Sequence, residues 1–239
     1  MPNHRFDVKG SLYLVPNLLG AVEPVRVLPQ ATIDIARELR HWVVETPKAA
    51  RAFLKSLGPE VPIATIDIRA LGEHARIDEL LTPARAGADI GLLSDAGCPG
   101  VADPGADLVA AAHAAGMRVV PLVGPSAVLL ALMAAGMNGQ RFAFHGYVPA
   151  KAEARAAALQ KLERESQALR QTQVFIETPY RNVALLETAL QVLKTSTVLC
   201  AAVDLTLPTE TIVRRNIAAW RGHDLKGFDK RPAMFLMQA

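Results

Sequence analysis

Residues 91–105 read GLLSDAGCPGVADPG, and residues 119–128 read VVPLVGPSAV. The first stretch continues an apolar strand over 90–93 and breaks into a loop crowded with Gly, Pro and Asp. A helix is expected over 103–115, with Asp103 as its cap, Pro104 in its first turn and Gly116 closing it. The second stretch is a strand over 119–122 that ends in another Gly-Pro loop and leads into an Ala/Leu helix over 126–135. Two such loops after strands of one open α/β sheet make a crevice lined by backbone, where small ligands bind.

The same rhythm extends upstream. Strands are expected over 11–15, 42–44 and 63–68, and helices over 31–39 (with Thr32 as its cap), 48–57 and 77–86, the last despite Pro83. Alternating strands and helices predict a parallel sheet covered on both faces. Past Gly124 the scale changes: strands over 142–147, 173–176, 198–203, 211–213 and 233–237, with helices over 152–169 and 183–193. Short turns between several of these strands suit a mixed sheet. The expected organisation is an N-terminal α/β domain, 1–122, and a C-terminal α/β domain, 123–239.

The 239 residues are 51% hydrophobic and 21% charged, which supports a packed core rather than disorder. A net charge of +3 suits an anionic substrate but is too small to identify a nucleic-acid binder. Cys98 and Cys200 stand alone, so neither a disulfide framework nor a zinc ribbon is expected. The six histidines show no metal-ligand spacing, and no metal is expected. The sequence shows no signal peptide and no apolar run long enough for a membrane span, so a cytoplasmic protein is expected.

Three loops follow strands: PNLLG at 16–20, SDAGCPGVADPG at 94–105 and GPSA at 124–127. Glycine lets backbone amides approach a ligand, proline fixes loop shape, and short acids accept hydrogen bonds from hydroxyl or ammonium groups. This set suits a polar, nucleoside-like ligand held mainly by backbone. Neither G-x-G-x-x-G after the first strand nor a G-x-x-x-x-G-K-[ST] loop is present. Asp103 and Ser126 also read as helix caps. Asp95 has no such role, and Cys98 reads as a small loop filler rather than a nucleophile.

At these residues the chain resembles the tetrapyrrole methylase superfamily, and within it the ribosomal small-subunit RNA 2′-O-methyltransferase I family. LYLVPNLLG is similar to that family's LYIVPTPIGN, and LLSDAGCPGVADPGADLV to its SDAGTPxxxDPGxxLV. VVPLVGPSAVLLALMAAGM is similar to VVPLPGPxAxxxALxxSGL, and RFAFHGYVPAK to RFxxxGFLPxK. FIETPYRN and VDLTLPTETI are weaker echoes. The resemblance implies a two-domain, usually homodimeric enzyme with S-adenosylmethionine in a cleft between its domains. Carried over position by position, Pro16, Ser94, Asp95, Ala96, Gly97, Pro99, Asp103, Gly124, Pro125, Ser126, Ala127, Pro232 and Ala233 would surround that cofactor.

The chain departs from the family mainly on the acceptor side. AEDTR appears as Val44-Glu45-Thr46-Pro47-Lys48, HNE is reduced to Glu73-His74, and His145 stands where relatives usually carry Glu. A ribose hydroxyl attacking a sulfonium methyl still has to lose its proton. Glu45, Lys151 and Glu177 are the candidate catalytic residues; each also reads plainly, the acids as strand-end acceptors and Lys151 as a solvated residue opening a helix. Arg155, Glu153, Glu163 and Glu165 read with Lys151 as a solvated face of that helix. Arg214, Arg215, Arg221, Lys226, Lys230 and Arg231 either guide a phosphate backbone or keep the surface soluble. Three functions follow: a ribosomal-RNA methyltransferase, a methyltransferase of a tetrapyrrole or other small acceptor, or a non-catalytic protein that binds the cofactor.

Overall fold

A computed structural model describes residues 9–72 and 75–239. The chain forms two compact units, residues 1–126 and 127–239. The pair Glu73-His74 and the histidine at position 4 lie outside the described residues.

The first unit runs β1 (Leu12–Leu14), α1 (Gln30–Glu38), β2 (His41–Val44), α2 (Pro47–Leu57), β3 (Asp67–Ala70), α3 (Ile77–Leu80), α4 (Thr82–Arg85), β4 (Ile90–Leu93), α5 (Ala106–Ala114) and β5 (Val119–Pro121). All its strands are parallel, in the order β3-β2-β4-β1-β5. Period-two alternation divides the core between the two faces. Trp42, Val44 and Leu93 pack with Ile33, Phe53 and Leu54 of α1 and α2. Val43, Ile90 and Leu92 pack with Leu80, Leu81 and Leu108 on the side of α3–α5. In α2 the buried Ala50, Phe53, Leu54 and Leu57 follow helical spacing and form one stripe.

Several expected boundaries are corrected. Helix α5 starts three residues later than the sequence suggests, because Gly105, at φ +134°, precedes its first residue and only glycine sits there without strain. Asp103 therefore does not cap it. Thr32 lies inside α1 rather than before it, and its hydroxyl donates to Val123 O at 2.8 Å. The helix expected over 77–86 is two short helices meeting at Leu81, with Pro83 in the first turn of the second. The strand expected over 63–68 begins as a 3-10 turn, Ile63–Thr65, and pairs with β2 only from Asp67.

The second unit comprises α6 (Ala127–Ala135), β6 (Phe142–Tyr147), α7 (Ala152–Leu169), β7 (Thr172–Ile176), α8 (Asn182–Val192), β8 (Val198–Val203), β9 (Thr211–Asn216), α9 (Ile217–Trp220) and β10 (Ala233–Gln238). Its sheet is mixed, ordered β6-β7-β10-β8-β9, with only β6 and β7 parallel. Phe175 and Phe235 stack at 6.0 Å within a core closed by Leu159, Leu185, Leu199 and Trp220.

The solvated face expected on α7 is partly wrong. Arg155 and Glu163 are buried. Arg155 donates to Thr188 Oγ1 and Ala150 O. Glu163 accepts from Lys194 N and Thr197 Oγ1, so partners in the loop that precedes residue 198 offset its desolvation. Among the described residues no helix is long and apolar enough to cross a membrane.

Candidate functional site

The carboxyl ends of β1, β2, β4 and β5 lie along one edge of the first sheet, and their loops meet there. Asn17, buried just beyond β1, ties two of them together. Its backbone N–H donates to Gly97 O at 2.8 Å, and its Nδ2 donates to Ser94 O at 2.9 Å and Asp95 O at 3.0 Å. The loop after β4 is thus held by backbone carbonyls. The Ser94 hydroxyl is buried and has no hydrogen-bond partner among the described residues.

The loop after β2 joins through Asp95. Its carboxylate accepts from Thr46 N at 3.1 Å and Thr46 Oγ1 at 2.7 Å, and Thr46 is the residue that precedes α2. In return, Asp95 N donates to Glu45 Oε2 at 3.1 Å. Glu45 thus accepts from a neighbouring backbone amide at the strand end. Asp95 acquires a structural role that the sequence did not suggest.

Asp103 stands near both acids. Burial pushes its carboxyl up to about 6, and the charges of Glu45 and Asp95 push the same way. The same burial, together with Asp103, raises the Cys98 thiol, whose Sγ lies 3.5 Å from Pro125 O. A thiol kept protonated is a filler, not a nucleophile.

The third loop is fitted against the first. A Cβ built on Gly124 would lie 2.4 Å from Pro16 Cβ and 2.9 Å from Leu28 Cδ2, so no side chain is tolerated there. Pro125 is buried behind it, and Ser126 immediately precedes α6. Pro16, Ser94, Asp95, Ala96, Gly97, Pro99, Asp103, Gly124, Pro125 and Ser126 thus all belong to loops on this edge.

In the second unit, Glu177 follows β7 with its side chain fully buried, accepting from Thr178 N at 2.7 Å and Arg181 Nη2 at 2.6 Å. Its Oε2 and the Nε of Arg181 are buried without partners among the described residues. Pro232 and Ala233 lead into β10, and Pro232 O accepts from Asp204 N. Arg231 is anchored by Asp204 and by the carbonyls of Gly227 and Thr209, so it is not a free surface cation. Lys151 is exposed, just before α7. His145 Nε2 and Gln173 Oε1 are 2.6 Å apart.

The sequence profile of the Tetrapyrrole (Corrin/Porphyrin) Methylases matches residues 22–220. The chain belongs to the tetrapyrrole methylase family. Within reach of this family lie proteins called Ribosomal RNA small subunit methyltransferase I. That of Escherichia coli O157:H7 is 33% identical over 204 residues, covering 85% of this chain and 68% of the relative. That of Pseudomonas aeruginosa is 36% identical over 180 residues, covering 72% of this chain but only 58% of the relative. Among solved structures, the methyltransferase CobJ superposes with a TM-score of 0.62 at 19% identity, covering 96% of this chain and 94% of that one. The uroporphyrin-III-C-methyltransferase of Thermus thermophilus gives 0.56, also at 19%, covering 96% of this chain and 94% of that one. At such identities these structures speak for the tetrapyrrole methylase fold alone.

Two residues of this methylase edge are absent from the set expected from sequence. Asn17 was visible only as the second letter of PNLLG, and Thr46 only as the residue before Pro47. A polar residue two or three positions after the strand was the available signal.

Proposed function

We propose that the chain is an S-adenosylmethionine-dependent methyltransferase acting on a ribose 2′-hydroxyl of ribosomal RNA. One observation carries the reading: relatives named for small-subunit ribosomal RNA methylation align over most of the chain, 85% of it for that of Escherichia coli O157:H7. The edge fits such a cofactor. It offers a buried unpartnered hydroxyl on Ser94 and a backbone cradle too tight for a side chain at Gly124. Three carboxylates there, Glu45, Asp95 and Asp103, complement a sulfonium and an ammonium.

When bound, the cofactor supplies a methyl group already activated by positive sulfur. In this reading Pro16, Ser94, Asp95, Ala96, Gly97, Pro99, Asp103, Gly124, Pro125 and Ser126 hold it. Ala127, Pro232 and Ala233 are the contacts assigned to the second unit. The loops align the methyl for in-line attack and keep water away, and such positioning contributes several kcal/mol. Glu45 is the favoured acceptor of the ribose proton, because the amide of Asp95 donates to its Oε2 and so holds the carboxylate at the edge. Lys151 and Glu177 are the remaining candidates. A homodimer in the cytoplasm completes the reading, supported by the family resemblance.

Calorimetry with S-adenosylmethionine tests the shared premise. Radiolabelled methyl transfer to small ribosomal subunits, set against a small-metabolite extract, then separates the acceptors. Donor binding without labelling of either pool would leave a non-catalytic binding protein.

A further inference from the structure

Helix α2 leaves the site edge at Thr46 and carries two stripes that the reading above does not use. Ala49, Ala52, Phe53 and Ser56 recur at helical spacing and form one wall of a pocket of about 670 Å³. Leu18, Leu19 and Val22 form the other wall, and the pocket reaches Asp95 and Ala96 of the candidate donor loop. Its volume is that of a small-molecule site. Its charged lining residues are carboxylates, Glu23 and Asp95, which repel phosphate and accept N–H donors.

The second stripe is Lys48, Arg51 and Lys55. All three are exposed, and none forms an ion pair among the described residues. They sit roughly 100° round the helix from the pocket wall. A row of free cations beside an apolar pocket with an acidic rim matches a polyanion that presents flat, neutral, N–H-bearing rings. That is the chemistry of a single-stranded nucleic acid with one base unstacked.

We propose that α2 is the track for the acceptor strand: Lys48, Arg51 and Lys55 contact its phosphates while the adjacent pocket receives one of its bases. This rests on the RNA methyltransferase reading and specifies how that substrate is held. It also assigns a specificity element to a helix whose buried stripe packs the core and shares Phe53 with the pocket.

Two variants of the full chain test it, Ala52→Trp to fill the pocket from an exposed position and Lys48→Ala/Arg51→Ala/Lys55→Ala to remove the cations. Donor affinity is read by calorimetry, and KM is read for small ribosomal subunits at several salt concentrations. The expected result is unchanged donor affinity, with KM raised at least about tenfold in each variant. The triple variant should also show a slope of log KM against log salt shallower by about 2. KM and slope equal to wild type overturn the proposal. So does parallel loss of donor affinity in Ala52→Trp, which would give the pocket to the donor instead. Wild-type protein that fails to bind donor, or to label the subunits, removes the underlying reading, a result distinguishable from failure of the α2 variants alone.

Discussion

The Asp95 carboxylate bridges both donors of Thr46, its backbone N–H at 3.1 Å and its hydroxyl at 2.7 Å, and so joins the loop after β4 to the start of α2. Asp95→Ala leaves both donors to solvent. Because the pair is exposed, the expected loss of stability is about 1 kcal/mol. Donor affinity, read by calorimetry, should fall much more, since the loop loses its register. Equal donor affinity in the variant would separate Asp95 from the binding site.

Asp103 gives the protein a pH signature. Its carboxyl, ordinarily at 3.8, titrates at about 6 in the folded chain. A folded value above the unfolded one stabilises the protein below the unfolded value, and this contribution is lost as pH rises through about 6. The unscreened size is about 3 kcal/mol, and the half-exposed position of the group reduces it to about 1 kcal/mol. Asp103→Asn should therefore stabilise the protein by about 1 kcal/mol near pH 7.5, and the difference should close by pH 4; chemical denaturation across that range measures it. A cationic donor favours the charged carboxylate, so donor affinity should drop as pH falls through about 6, and not in this variant.

Gly124 allows no side chain. A methyl group there meets the Pro16 ring at 2.4 and 2.8 Å, and the loop after β1 has to move. Gly124→Ala is expected to destabilise by about 2 kcal/mol, seen as a lower urea midpoint with an unchanged slope. Weaker donor binding should accompany it.

Glu45 and Glu177 separate by opposite responses. Glu45→Gln keeps an acceptor for Asp95 N but removes the charge, so turnover should fall about a hundredfold at near-wild-type stability. Glu177→Gln breaks a buried ion pair with Arg181. It should lower stability by about 2 kcal/mol and leave the turnover of the folded fraction intact, the loss being moderated by the partly exposed Arg181. A collapse of turnover in Glu177→Gln at unchanged stability would make Glu177 the base.

Most strands and helices were legible because strands are short apolar runs, as in β8, and apolar residues of helices recur at a period near 3.6, as in α2. Errors came where a local signal met a stronger competitor. The Asp-Pro-Gly run, residues 103–105, reads as a cap and first turn, yet the φ of +134° at Gly105 postpones the helix. Arg155 and Glu163 read as solvated because their partners, Thr188, Lys194 and Thr197, lie 31 to 34 positions away in the chain. The loops of the site were legible from their glycines and prolines. Asn17 and Thr46 were not, because their partners lie 77 and 49 positions away in the chain.

That separation has a consequence during synthesis. Strand β1 emerges before both of the strands that flank it in the finished sheet, its Leu12 preceding its partner Ile90 in β4 by 78 residues and its partner Val119 in β5 by 107. Closing such a long interval is entropically slow. The first strand and the amide of Asn17 must wait, and competence to bind arrives only after the whole first unit has left the exit tunnel.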